Sequence, residues 1–426
     1  MSVRIAGNDV VFLNTYDVIN EAFVKQNDIF SGRPTIRLWY QVLGDNGRVF
    51  EKFGDKFVNQ KKFALHTLKR FGMGNSTMED IINEEMEYFS EHLRSRAGKP
   101  INLTLPYYRL LGNITTKLVL GKRYDYNVSS KVKVAIESLQ KQYTSGEAHL
   151  ILLVYFHQFL SRIPPFRKVN DDFIEAESNI ADALQDVIDE RKKIFDPEHI
   201  NDFLDAFLYE QKFGKEKKYF QDRQLQVTVR DLFIAGIETT STTVSWCCLA
   251  ILNYPKYHEK ILKEIADEIG SNFPSMANRP NMPITCAFVQ EVSRFCTLVP
   301  NALEHLTTED TKLFHYNIPK GTRVAPNIYV AHFDEETWPD PFNFNPARHL
   351  DRNGKFVHSP KVIQFSLDGR SCLGEALARM EVFLIFVGML QRFKFSATSG
   401  TLPTIKEGLM GIDYCPKPYE VLLETR

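Results

Sequence analysis

The sequence predicts a mainly α-helical protein with small β-sheets, on three observations. Up to about residue 300 apolar side chains recur at helical spacing, strand-like alternation is confined to two short regions, and a proline-punctuated tract leads into one last apolar helix. Helices are expected over 78–94, 173–194, 227–252 and 255–269, where apolar positions repeat every three to four residues. Strands are expected at 9–13 and between 298 and 325, where TKLFHYNIPKGTRV alternates and carries turn residues. From 331 to 367 periodicity fails, and Trp338, Pro339, Pro341, Pro346 and Pro360 break any regular element. That tract is rich in Phe and Trp, so it is expected to pack against the body of the protein, and a final helix follows over 373–393.

Length alone admits one large unit or two or three smaller ones, since 426 residues exceed a typical domain of ~150. A hydrophobic fraction of 43% with 12% aromatics excludes a disordered chain. A net charge of −1 provides no global field, so a nucleic-acid partner is not expected. The six cysteines (Cys247, Cys248, Cys286, Cys296, Cys372 and Cys415) lack the paired spacing of a zinc site or a disulfide scaffold, which fits a reducing compartment. The longest apolar stretches, near 150–160, 244–252 and 382–390, fall short of the ~20 residues that cross a bilayer. The opening MSVRIAGNDVVFLN lacks the basic and apolar pattern of a signal peptide.

The strongest local signal is FSLDGRSCLGEALARME, residues 365–381, where one cysteine stands just before an apolar helix. Free N–H groups and the positive end of the helix dipole are expected to make Cys372 more acidic than a free thiol. Gly374 removes a side chain where a flat ring could lie, and Arg370 supplies a fixed cation for a carboxylate. Taken alone, the pattern also fits a buried structural cysteine.

A second constellation is DLFIAGIETTSTTVSW, residues 231–246, where a glycine, an acid and several hydroxyl residues interrupt an apolar helix. Gly costs about 1 kcal/mol in a helix interior and each Thr several tenths, so a local rule is broken inside a long element. Glu238 offers a proton and Thr239 a hydroxyl relay, while Thr and Ser can bond back to the preceding turn. A polar helix face or a Thr-rich strand is the plainer alternative. In EVSR, Glu291 and Arg294 stand three apart on one helix face, the spacing of an ordinary surface pair as much as of a buried one.

The first of these segments resembles the haem-binding loop of cytochromes P450, Phe-x-x-x-Gly-Arg-x-Cys-x-Gly, with the helix that follows it. The resemblance implies that Cys372 is the axial thiolate of a haem b iron, that Arg370 meets a haem propionate and that Phe365 packs on the cysteine side of the ring. Thiolate ligation pushes electron density onto iron and favours O–O cleavage. The second segment is similar to the family's distal helix, which implies that Ala235 and Gly236 border the oxygen pocket and that Glu238 and Thr239 hand protons to bound dioxygen. By the same resemblance Glu291 and Arg294 are buried and joined by Arg348 of PARH, holding the cysteine loop in place.

The likeness runs over nearly the whole chain and is nearest to the microsomal family 2 enzymes of animals, as in FSGRP, KKFALHTLKRFGMG, IPKGT and FNPARHLDRNGKF. It implies a single haem-thiolate domain over 1–426, with Arg33, His305 and Arg370 around the propionates. Two departures stand out. Asp368 occupies a position where the family usually has glycine, and a carboxylate there is expected to affect redox poise or haem retention. In FVNQK, Phe57 and Lys61 replace the usual Trp and Arg, so propionate anchoring there is expected to be weaker.

As implied partners the resemblance brings NADPH-cytochrome P450 reductase, docked electrostatically on Lys61, Lys62, Lys69 and Arg70, and through it NADPH. The substrate is expected to be a lipophilic small molecule, because the segments that line family pockets (148–166, Ala235, 298–303 and 409–410) are largely apolar here. The family's N-terminal membrane helix is missing, so the chain is a fragment or a short form with peripheral membrane association, and the family location is the cytoplasmic face of the endoplasmic reticulum membrane. Two rivals remain, a reductase-independent isomerase of the same fold and an inactive haem-binding relic.

Overall fold

The computed structural model describes residues 1–44, 46–144, 148–367, 369–398 and 402–426. The helix Asp222–Asn253 runs through the centre. At 32 residues it is about 48 Å long, and beyond its first turn most of its surface is buried, which is why its sequence lacks a clean apolar stripe. The helices Thr104–Leu120, Phe166–Ile194, Pro283–Cys296 and Glu375–Arg392 pack against it. Burial in this bundle offsets the weak helix propensity of its Thr-rich middle.

Four of the expected helices are present, with ends displaced: 78–94 is Ser76–Arg94, 173–194 begins seven residues earlier at Phe166, 227–252 is Asp222–Asn253 and 255–269 is Pro255–Glu268. The tract after Ala331 is irregular apart from the short turns Ile328–His332 and Pro346–His349, and it packs tightly, with Trp338 and Phe344 buried. Among the described residues no helix is long and apolar enough to cross a membrane.

The largest sheet has four strands in the order Ser2–Ile5, Asn8–Leu13, Arg323–Pro326, His305–Leu306. Its one parallel pair joins Asn8–Leu13 to Arg323–Pro326, which ties the N-terminal strands to the segment carrying His305. A bridge between Gly32 and Leu306 extends this contact. A Cβ on Gly32 would lie 2.3 Å from the Leu306 carbonyl oxygen, so only glycine lets Arg33 come beside His305.

Periodicity did not disclose the C-terminal strands. Phe393–Ala397 and Val421–Thr425 form a three-stranded sheet with Pro100–Ile101, and Gly408–Met410 pairs with Tyr414–Pro416 as a hairpin. The hairpin is fastened to the central helix: Trp246 Nε1 donates to the Tyr414 carbonyl (2.9 Å) and the Tyr419 hydroxyl to the Ser245 carbonyl (2.7 Å).

Candidate functional site

A cavity of about 420 Å³ lies between the central helix and the loop before Glu375–Arg392. The loop presents Phe365, Arg370, Cys372 and Gly374 to it, and the helix presents Ala235, Gly236 and Thr239. Residues 130 apart in sequence therefore share one space, which the helical bundle alone decides. Its volume falls within the ~300–1,000 Å³ of ligand sites.

The Cys372 thiol is bared, but to this cavity, and protein encloses it. Burial pushes the thiol up, the Gly374 N–H and the Arg48 guanidinium pull it down, and burial prevails. This corrects the expectation of an acidic thiol. The helix starts only at Glu375 with Gly374 as its cap, and the dipole effect fades outside the terminal turn. A coordinated metal cation, by contrast, deprotonates a thiol outright. The loop itself is shaped by the Cys372 N–H bonding to the Phe365 carbonyl (2.9 Å) and by Ser366 at φ 61°, a left-handed turn. Asp368, expected to matter here, lies outside the described residues.

One wall of the cavity is cationic. Arg33 Nη1 donates to the Leu303 and Glu304 carbonyls (3.0 and 2.6 Å), and Arg370 donates to the Ser31 and Glu51 carbonyls (3.0 and 2.8 Å). Phe57 cannot donate a hydrogen bond, but its buried ring lies 3.6 Å under the Arg370 guanidinium and so serves as a platform that fixes that cation. Lys61 does not line the cavity; its ammonium donates to the Gly369 carbonyl, setting the helix Asp55–Arg70 against the cysteine loop. His305 is stacked on Phe23 (4.1 Å) and bonded through Nδ1 to the Phe30 carbonyl (2.6 Å). Burial, then Arg33 and Arg370, hold its pKa well below the usual histidine range, so the ring is neutral and the arginines carry the charge.

On the central helix the acid and the alcohol face different ways. The Thr239 hydroxyl donates back to the Ala235 carbonyl (2.7 Å), as expected of such residues. Glu238 is buried away from the cavity and accepts from Thr242 (3.1 Å). Adjacent helical residues point about 100° apart, so sequence neighbours need not meet. Gly236 serves packing as well as the cavity wall, since a Cβ there would come within 2.9 Å of the Thr115 hydroxyl. The segment 298–303 lines the cavity through Leu298, Val299, Ala302 and Leu303; among the described residues none from 148–166 or 409–410 does.

Glu291 and Arg294 are fully buried and joined by two bonds of 2.8 and 2.9 Å. Arg348 adds a bond to Glu291 (3.1 Å), and so do the His349 ring (3.0 Å) and the Asn345 N–H (2.9 Å), neither of which the pair spacing could reveal. Arg294 Nη1 donates to the His332 carbonyl (2.7 Å), and His332 Nε2 accepts the Ile363 N–H (2.9 Å), two residues before Phe365. The network thus reaches the cysteine loop in three steps.

Burial alone would raise Glu291, yet Arg294, His349 and Asn345 bring it down to about 2. A depressed carboxylate stabilises the fold above its unfolded pKa of about 4.3 and loses that contribution as pH falls through the folded value. The expected loss is about 3 kcal/mol between roughly pH 4.5 and 2. Urea midpoints measured across that window should fall for the parent, while the curve of Glu291→Gln lacks this step.

The cytochrome P450 family model matches residues 1–423. This chain belongs to the cytochrome P450 family. It is similar to cytochrome P450 2U1 of Bos taurus, 33% identical over 423 residues, which are 98% of this chain and 77% of the relative. Cytochrome P450 2D9 of Mus musculus is 31% identical over 432 residues, 100% of this chain and 85% of that one. The protein is accordingly a P450 monooxygenase, and its cofactor is haem iron with a thiolate ligand.

The residues present fit such a P450 group. A thiol, a cationic wall and an apolar opposite face meet in one cavity, and a Cβ at Gly374 would reach to within 4.0 Å of the Cys372 sulfur, narrowing the space beside it. Sequence reasoning missed Arg48, which lines the same cavity; its loop is anchored by the Arg48 and Val49 N–H groups bonding to Asp231 (2.8 and 3.1 Å). It also assigned no role to Glu381, a cavity-lining acid that accepts from Thr240 (3.2 Å) and that burial raises to about 8.

Proposed function

We propose that this P450 inserts one oxygen atom into a lipophilic substrate, with Cys372 as the iron ligand and Arg33 and Arg370 as propionate partners. The observation that carries the reading is the Cys372 sulfur opening into the cavity that Ala235, Gly236 and Thr239 border from the other side. Bound there, haem iron supplies the oxygen activation. The protein supplies position, charge and protons. Leu232, Ala235, Leu298, Val299 and Ala302 offer a substrate an apolar wall and exclude water from it. Thr239 is the hydroxyl nearest this space on the acid–alcohol pair, and Glu238 is the acid behind it. Glu291, Arg294 and Arg348 keep the loop in register, and the single haem-thiolate domain spans 1–426.

Electrons come from NADPH through NADPH-cytochrome P450 reductase. Lys62, Lys69 and Arg70 are exposed on the helix that Lys61 ties to the cysteine loop, which favours docking of an acidic partner beside it. Raising ionic strength from roughly 0.05 to 0.5 M should raise the apparent KM for reductase by about tenfold, because the Debye length shrinks from ~14 to ~4 Å. Lys62→Glu with Lys69→Glu should do the same at low salt without altering the absorption spectrum; an unchanged KM would place the docking surface elsewhere. The expected location is the cytoplasmic face of the endoplasmic reticulum membrane, supported by exposed Leu152, Phe156, Phe159 and Ile163 on and after the helix Ala148–Leu160.

The visible spectrum of the reduced, carbon-monoxide-bound protein tests the ligand, because thiolate and imidazole ligation absorb differently. NADPH-dependent oxygenation with reductase tests the rest. Thiolate absorption without NADPH consumption on any lipophilic panel would turn the reading toward the isomerase or the relic.

A further inference from the structure

Glu238 has a neighbour that the reaction scheme does not use. Asp413, in the turn of the hairpin Gly408–Met410/Tyr414–Pro416, lies against it within hydrogen-bonding reach. Glu238 is 1% and Asp413 5% exposed, and among the described residues no cation is bonded to either. Tyr108 and Tyr143 face the pair from the helices Thr104–Leu120 and Lys131–Thr144, Cys415 from the hairpin and Thr242 from the central helix. The nearby buried guanidinium of Arg230 is committed to Glu177 and Asp231. Two carboxylates this close in a dry setting cannot both be ionised, so the pair holds a proton.

A second cavity of about 220 Å³ lies on this side of the central helix, lined by Asn102, Thr104, Gln140, Thr144, Thr242 and Cys415 among others. Hydroxyl and amide linings hold water where apolar ones stay dry. Thr242 belongs to this cavity and also donates to Glu238 Oε1 (3.1 Å), while Glu238 Oε2 is buried with no donor bonded to it, so a proton on one of the two carboxyls is what would join it to Asp413. Glu238 therefore stands between two cavities: Thr239, next to it in sequence, lines the larger one.

We propose that Asp413 is a positioning residue that turns Glu238 into a stored acid, and that the store is refilled from the second cavity through the Thr242 hydroxyl. The inference rests on reading Glu238 as the proton donor of oxygenation. At rest the pair carries one proton and one negative charge. Glu238 turns toward Thr239, its O–H bond breaks and the proton passes to the larger cavity. As that proton leaves, Thr242 gives its own proton to the carboxyl pair and takes one from a hydronium ion drawn from solvent into the second cavity, which remains there as water, so the two carboxylates are never ionised together and the resting charge returns. Only O–H bonds form and break, and no oxidant is needed. Burial, and after it the Asp413 charge, raise Glu238 well above the ordinary carboxylate range, in accord with a proton held at neutral pH.

Infrared spectroscopy of the holoenzyme tests the pair apart from turnover. Protonated-carboxyl absorption should persist at pH 7, and one band of it, separate from the Glu381 contribution that Glu381→Gln removes, should disappear in Glu238→Gln. In Asp413→Asn its titration midpoint should fall by at least about one pH unit, tenfold in proton affinity, because a repelling charge is gone, and Asp413→Glu should restore it. Hydrogen peroxide released per NADPH oxidised, measured with reductase from pH 6 to 9, should rise several-fold in Asp413→Asn at the alkaline end. Thr242→Val, which leaves both carboxyls in place, should enlarge the solvent isotope effect on NADPH oxidation. Equal midpoints in Asp413→Asn and parent overturn the positioning role, and an unchanged isotope effect in Thr242→Val overturns the route. If Glu238→Gln loses the band yet releases no more peroxide than the parent, the pair exists but Glu238 is not the donor.

Discussion

Cys372→Ser is expected to give a folded protein that lacks the thiolate absorption of its reduced, carbon-monoxide-bound form and oxygenates at background level. The side chain faces a cavity and sits outside the helix that begins at Glu375, so trading sulfur for oxygen removes little packing. Surface-like substitutions of this kind change stability by about 0.5 kcal/mol or less, and the apoprotein should melt close to the parent. The chemistry changes far more, since an alcohol of high pKa neither ionises beside iron nor pushes charge onto it. Because burial keeps the free thiol protonated, loading the parent apoprotein with haem should also release a proton from Cys372, detectable in weakly buffered solution. Cys372→Ser should release none. Unchanged absorption and turnover in the serine variant would remove the basis of the assignment.

Arg294→Ala should do the opposite, damaging the fold first and the chemistry as a consequence. Arg294 and Glu291 are both wholly buried, and the variant leaves a carboxylate with only Arg348, His349 and a backbone N–H in place of its closest cation. Breaking one side of a buried pair costs about 3–5 kcal/mol, a large part of the ~5–15 kcal/mol that holds a domain together. Two carbonyl partners, those of His332 and Pro341, are orphaned with it. We expect little soluble protein, a markedly lower melting temperature, and a reduced haem-to-protein ratio in what survives, because the His332 to Ile363 link to the cysteine loop loosens. Arg294→Lys keeps the charge and loses the two-pronged geometry, so it should fall between. Arg348→Ala, which removes one bond to Glu291 and three to carbonyls at the partly exposed edge of the network, should cost less. A melting temperature for Arg294→Ala within a degree of the parent would contradict a structural role.

The cysteine loop and the Thr-rich helix could be read in the sequence because each is a local signature: Cys372 before a helix start, and Glu238 with Thr239 inside an apolar run. Arg33, Phe57 and His305 were legible only through family resemblance, since no spacing joins a residue near position 33 to one near 305. The bridge from Gly32 to Leu306 makes them neighbours. Phe57, which looked like a lost hydrogen-bond donor, is a platform for Arg370, and that relation exists only when the two elements are packed. The helix-start argument for Cys372 failed for a related reason, as it counted the dipole and not the enclosure of the cavity.

By itself the sequence determined which chemistry the protein holds ready: a thiol, an acid and an alcohol on a helix, and fixed guanidinium charges. It determined the helical class as well, because periodicity is a property of consecutive residues. Tertiary structure alone decided which groups meet and in what charge state. It set Glu238 against Asp413 rather than Thr239, joined His349 and Asn345 to Glu291, and brought Arg48 to the cavity. Side-chain direction changes by about 100° per helical residue, and desolvation depends on every element packed around a group, so neither can be read from the order of the residues.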